Sequence, residues 1–313
     1  MSADALPQQA NRKGKQMSKT WYITGTSRGF GRAWALAALR RGDRVAATAR
    51  DVGSLAELAD EFGDAVLPVK LDVTDRTASQ AALRDAHAHF GRLDVVVNNA
   101  GYGHFGAVEE LSEAEARAQL ETNFFGALWT TQAAIPLLRG QGGGHILQVS
   151  SQGGVVAFPT VGIYHASKWA LEGLTEALAG EVAQFGIKTT LIEPGGYQTD
   201  WGGSSASHSD PNPLYQPIHN VVSQSAGPTG KPPASATAGA VLAAVDADEP
   251  PARLLLGSPA YNLVLPACER RLQTWRDWET VTRSADARHS RAGEGRQHRF
   301  VVANRQCPEA AAR

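Results

Sequence analysis

The stretch Thr24-Gly25-Thr26-Ser27-Arg28-Gly29-Phe30-Gly31 decides the fold. A short apolar run, Trp21-Tyr22-Ile23-Thr24, leads into it, and an Ala- and Leu-rich run to about Arg41 follows it. Glycines let the backbone turn tightly and come close to a pyrophosphate. A helix starting on such a turn presents free N–H groups and the positive end of its dipole. A glycine-rich turn alone says little. Placed after a strand and before a helix, it predicts the first crossover of a parallel α/β sheet and a dinucleotide cradle at its bend.

Further along the chain, strand and helix patterns keep alternating. Residues 44–49, 66–71 and 93–97 predict strands two to four, and the last is a continuous apolar run, as expected when both faces of a sheet are covered. Residues 54–62 and 75–90 predict the helices between them. Over 113–138, Leu120, Phe124, Ala127, Leu128, Thr131 and Ile135 recur at helical spacing, which predicts one long helix. Residues 145–149 and 189–192 predict strands five and six around a helix over 164–185, with Leu171, Leu174, Leu178 and Val182 on one stripe. A helix over 234–247 and a strand over 253–256 complete a doubly wound parallel sheet of about seven strands with helices on both faces. Residues 201–233 are rich in Ser, Pro, Gly and Asn, and a loop this long inside a compact domain predicts a substrate lid, placed at 197–233. The whole reads as one domain over 19–286. It is flanked by a polar extension, 1–18, and an Arg-rich tail, 287–313, both expected to be disordered.

Bulk properties exclude several classes of function. Formal net charge is −1, so there is no global basic field for nucleic acid or an anionic membrane. No apolar run reaches membrane-spanning length, and the N-terminal segment has no apolar core of a signal peptide. The only cysteines, Cys268 and Cys307, make neither a disulfide framework nor a zinc spacing, which suits a cytoplasmic location. His104 and His165 border the expected site without metal-ligand spacing, so no metal is expected.

The candidate chemistry centres on Tyr164 and Lys168, four residues apart and therefore on one helix face. A free tyrosine has a pKa of about 10, and a neighbouring ammonium favours its ionised form. Such a phenol can give a proton to a substrate oxygen or take one from it. Ser151, at the end of the fifth strand, can hold and polarise the same oxygen. The end of the second strand reads Ala47-Thr48-Ala49-Arg50. An acid that would bind the ribose 2′-hydroxyl of NAD is missing there, and Arg28 and Arg50 offer two guanidinium groups for a 2′-phosphate. NADP(H) is therefore favoured, with NAD(H) as the alternative. Phe105, Phe158, Tyr197 and Trp201 are candidates to line an apolar substrate pocket.

Taken in order, these motifs resemble the short-chain dehydrogenase/reductase family over about residues 19–200. The turn is TGxxxGxG. Asn98-Asn99-Ala100-Gly101 is similar to the family's NNAG element, Tyr164-His165-Ala166-Ser167-Lys168 to its YxASK element, and Pro194-Gly195 with Thr199 to its PGxxxT turn. Ser151 and Asn123 stand at the family's offsets before Tyr164. The resemblance implies a Rossmann fold and an enzyme moving a hydride between nicotinamide and a small-molecule alcohol or carbonyl. Asn123, Ser151, Tyr164 and Lys168 are then the catalytic set. It also implies that Lys168 holds the nicotinamide ribose, that Asn123 bends its helix and exposes a carbonyl to a water relay, and that Asp72-Val73 meets the adenine. The remaining cofactor contacts it implies are Gly25, Ser27, Arg28, Gly29, Phe30, Gly31, Arg50, Asn99, Ala100, Gly101, Pro194, Gly195 and Thr199. Tyr197 departs from the smaller residue usual at its position. Ala-, Gly- and Leu-rich faces on the helices over 113–138 and 164–185, with the resemblance, predict a homodimer or homotetramer. Two other readings compete: a non-catalytic NADP(H)-binding sensor on the same fold, and a nucleic-acid-associated protein using the Arg-rich tail.

Overall fold

A computed structural model describes residues 18–225 and 230–286. The expected terminal extensions, apart from Ser18, and residues 226–229 of the expected lid lie outside the described residues. In chain order the elements are β1 (Thr20–Ile23), α1 (Gly29–Arg40), β2 (Arg44–Ala49), α2 (Ala56–Phe62), β3 (Val66–Lys70), α3 (Arg76–Phe90), β4 (Val95–Asn98) and β5 (His104–Phe105). Next come α4 (Glu113–Leu120), α5 (Gly126–Gly140), β6 (Gly144–Val149), α6 (Gly162–Val182), β7 (Ile187–Pro194), β8 (Ser207–His208) and α7 (Gln216–Ser225). The chain continues through α8 (Ala238–Asp246), β9 (Arg253–Leu256), α9 (Ser258–Asp277) and α10 (Glu279–Ser284).

Seven strands form one parallel sheet in the order β3-β2-β1-β4-β6-β7-β9. Side chains alternate across it. Trp21 and Ile23 of β1 enter a core with Trp34, Leu39, Val45 and Val97, while Tyr22 between them enters the opposite core with Ala46, Leu83, Val96 and Ile146. Both faces are apolar, so the strands read as continuous hydrophobic runs. The winding reverses between β1 and β4, whose carboxyl ends flank a crevice; in open α/β sheets this is where ligands bind.

Local signals set the bounds of α3. Asp75 caps α3 by accepting the Ala78 N–H at 2.9 Å, and Gly91, at φ +79°, ends it in the left-handed conformation. The expected single helix over 113–138 is instead α4, a π-helical turn at Glu121–Phe125, and α5. Apolar spacing continues through the turn, so periodicity did not reveal it. The 197–233 segment is not all loop. It carries β8, which pairs with β5, and the helix α7. Sequence reading also passed over α9, whose buried residues are only Ala260 and Val264, too few to set an apolar stripe.

Candidate active site

The crevice begins where β1 meets β4. Thr24 Oγ1 accepts the N–H groups of Asn99 and Ala100, at 2.9 and 3.0 Å. Asn99 Nδ2 donates in return to the Thr24 and Gly25 carbonyls, at 2.8 and 3.0 Å. The turn is bound so tightly to β4 that a Cβ on Gly31 would lie 2.4 Å from the Gly25 oxygen and 2.6 Å from Asn99 Nδ2. Gly25 and Gly29 stand at φ +70° and +61°, where a side chain is strained. No side chain caps α1, so its first-turn N–H groups face the crevice without an internal acceptor. A bare helix start against a glycine cradle fits a pyrophosphate. Ser27 is exposed, and Phe30 stacks on Trp34 at a centroid distance of 5.4 Å and meets Tyr197 edge-on at 5.5 Å.

Tyr164, Lys168, Ser151 and Asn123 come together beside this turn. Tyr164 and Lys168 are buried on α6, with Lys168 Nζ 5.8 Å from the phenol ring centroid. Lys168 Nζ donates to the Val149 carbonyl at 2.8 Å. Burial pushes its ammonium down to about 8, against the pull of Glu172. Burial pushes the Tyr164 phenol up to about 12, opposed by hydrogen bonding with Ser151 and Trp201. Desolvation therefore outweighs the expected lowering of the phenol by Lys168. Ser151 starts a short 3₁₀ turn and accepts the Gly153 N–H at 2.9 Å. Asn123, 1% exposed, sits in the π-helical turn. Its Oδ1 accepts the Tyr102 N–H at 3.0 Å, and its Nδ2 donates to the Tyr102 carbonyl and to Ser167 Oγ at 3.0 and 3.1 Å. This side chain ties Tyr102, which follows Gly101, to α6; a Cβ on Gly101 would lie 3.5 Å from Lys168 Nζ.

The remaining residues spread around the rim. Pro194 ends β7 beside Leu256, and the Gly195 N–H donates to the Leu256 carbonyl at 3.0 Å. A Cβ on Gly29 would lie 3.7 Å from the Thr199 side chain. Asp72 is exposed and accepts from the Thr74 N–H and hydroxyl at 3.0 and 2.8 Å, while Val73 is buried against Gly126. Arg50 is exposed at the end of β2. Arg28 is engaged from across the crevice, with Nη1 2.9 Å from Asp200 Oδ2 and 3.3 Å from Ser204 Oγ. Of the expected pocket aromatics, Trp201 lies over Tyr164 at a centroid distance of 4.9 Å and against Phe105 at 5.3 Å. Tyr197 packs on Phe30 instead, and Phe158 reaches His165 at 5.5 Å. Sequence reading quoted Thr24 and Ser167 within the motifs without a role of their own, and passed over Tyr102, whose only signal was the motif it follows. Among the described residues no group of three His, Cys, Asp or Glu could hold a metal, and no helix is long and apolar enough to cross a membrane.

The chain is similar to known proteins over most of its length. Residues 19–210 match the family model for short chain dehydrogenases. The chain is 44% identical over 258 residues to the oxidoreductase BOA17 of Botryotinia fuckeliana, covering 81% of this chain and 94% of that protein. A short-chain dehydrogenase structure from Streptomyces avermitilis superposes with a TM-score of 0.79 at 38% identity, over 87% of this chain and 99% of that one. A short chain dehydrogenase/reductase from Burkholderia phymatum, solved in complex with NAD, superposes with a TM-score of 0.70 at 26% identity, over 85% and 95%. The chain belongs to the short-chain dehydrogenase family and is an oxidoreductase of that class.

Proposed function

We propose that the protein is an NADP(H)-dependent oxidoreductase acting between a carbonyl and the corresponding alcohol, with Tyr164 as its general acid and base. The observation that carries this reading is the convergence of Tyr164, Ser151 and Lys168 on one buried spot beside the glycine turn. The bound nicotinamide supplies or accepts the hydride. Ser151 holds the substrate oxygen and polarises the carbonyl. With its phenol pushed up to about 12, Tyr164 is protonated near neutrality and is set to donate to the developing alkoxide. Lys168 brings the positive charge that favours the resulting phenolate and holds the nicotinamide ribose. Asn123 fixes the Tyr102 loop and lines the proton supply. Asp72 and Val73 belong to the adenine end of the crevice, and the 197–233 segment covers the substrate.

Cofactor choice rests on Ala49, Arg50 and Arg28. Ala49 ends β2 where an acid would bind a ribose hydroxyl, and Arg28 and Arg50 are the guanidinium groups that would receive a 2′-phosphate. Arg28 exchanges Asp200 for the phosphate. The decisive experiment is Tyr164→Phe, assayed at the nicotinamide absorbance band against a panel of ketones, aldehydes and secondary alcohols. Turnover should fall by about 10² to 10⁴ while NADPH binding persists; undiminished turnover refutes the assignment, and intact binding without turnover in the wild type favours the sensor reading. We also infer a homo-oligomer built on α5 and α6, which sedimentation at micromolar concentration checks; a fully active monomer contradicts it.

A further inference from the structure

Behind Lys168 the structure holds a charged cluster for which the hydride-transfer scheme has no role. Glu172 and Glu193, with side chains 6% and 2% exposed, both reach the guanidinium of Arg253. Arg253 Nη1 donates to Glu172 Oε2 and, at 2.8 Å, to Glu193 Oε1; Nη2 donates at 2.7 Å to Glu176 Oε1. The cluster joins α6, β7 and β9 and lines a cleft of about 710 Å³, also bordered by Tyr261, Cys268 and Arg271 of α9. Glu172 Oε1 is left out of the clasp. It is buried, and a Cβ on Gly154 would lie 2.7 Å from it and 2.4 Å from Ser150 Oγ, so carboxylate and hydroxyl converge over that glycine.

Tyr164, Lys168 and Glu172 follow one another at four-residue steps and so share one face of α6. Ser150, which meets Glu172, stands between Val149, whose carbonyl receives Lys168 Nζ, and Ser151. A buried ammonium needs an opposite charge to stay ionised. We propose that Glu172 is a positioning residue for the reaction: its carboxylate, fixed by Arg253, is the counter-charge that keeps Lys168 an ammonium behind Tyr164. This rests on the acid–base reading above.

The electrostatics agree with the geometry. Burial lowers Lys168, and Glu172 is the charge that opposes the fall. Glu172 is itself raised by burial and held back by Ser150 and Arg253, with Glu176 adding repulsion. Glu193 is raised to about 7, first by burial and then by repulsion from Glu172, with Arg253 opposing. Glu193 thus competes with Glu172 for the same guanidinium nitrogen. Loss of the Glu172 charge therefore destabilises the Lys168 ammonium.

The test is an NMR titration of the full chain labelled with ¹³Cε-lysine, with the Lys168 signal identified by its loss in Lys168→Met. Glu172→Gln should move the Lys168 midpoint down by at least about one pH unit. A purely structural role predicts lower melting temperatures and an unmoved midpoint, and that result overturns the proposal. If Glu172→Gln does not fold, Glu172→Met, which fills a similar volume without charge, decides: a downward shift supports the proposal, and an unmoved midpoint overturns it. Full turnover in Tyr164→Phe sinks the acid–base reading without touching the lysine titration. An unmoved lysine in these variants sinks only the counter-charge.

Discussion

The crevice has two walls, held by different means. On one side the glycine turn is stitched to β4 through backbone and Asn99 contacts so close that Gly31 has no room for a methyl group. On the other, residues 200 and 201 rest on side chains: Trp201 tilted against Tyr164 and Phe105, and Asp200 reaching Arg28 in a pair whose side chains are 50% and 48% exposed. A half-exposed ion pair contributes about 0–1 kcal/mol, and an aromatic contact about 0.5–1.5 kcal/mol. The first wall leaves little room for change and suits an unvarying ligand, the dinucleotide. The second can be rebuilt by changing a few side chains, which suits a variable one, the substrate.

The contrast is broken most severely at Gly31. Gly31→Ala would press a methyl group onto backbone that cannot retreat, costing about 1–3 kcal/mol. Thermal unfolding should show a clear drop in midpoint, and NADPH titration should show weakened binding. A silent substitution would mean that this wall is as adaptable as the other. Arg50→Asp acts on the same wall without touching its backbone. It exchanges a phosphate partner for a ribose-hydroxyl acceptor, so the ratio of NADPH to NADH affinity should fall by about tenfold or more while the melting point stays. An unchanged ratio would make Arg50 a mere surface charge. Trp201→Ala tests the second wall and should have the smallest effect. Selectivity should shift toward bulky over small ketones by about two- to tenfold in kcat/KM, with the fold untouched. A large loss of stability there would erase the distinction between the walls.

The same contrast explains what could be read in the sequence. The first wall was legible because its constraints are local: a glycine where φ is positive, an asparagine following an apolar strand, a tyrosine and a lysine one turn apart. The seven parallel strands were legible because burial on both faces writes long apolar runs. Of the second wall the sequence showed the segment and the candidate aromatics Phe105 and Trp201 but not their pairing, because Trp201 against Tyr164 and Asp200 beside Arg28 are contacts between distant segments that leave no periodicity. Glu172 was hidden for a related reason. It looks like an ordinary surface residue on an α6 turn until Arg253, 81 positions later, folds back onto it. The height of the Tyr164 phenol was also out of reach, since lysine proximity is visible in the spacing and the degree of burial is not.

The π-helical turn at Glu121–Phe125 has a consequence for how α4 and α5 divide their work. A π turn holds one more residue than an α turn, and one residue of an α-helix is about 100° of rotation. The rod from Glu113 to Gly140 therefore carries a phase slip, and its inward face before the slip is not its inward face after it. That is how one nearly continuous rod serves two neighbours, with α4 packing on α6 and α5 on α3. Removing a single residue from the slip would heal the rod into a uniform helix. One half would then turn its packed face toward water, and Asn123 would swing away from Tyr102 and Ser167.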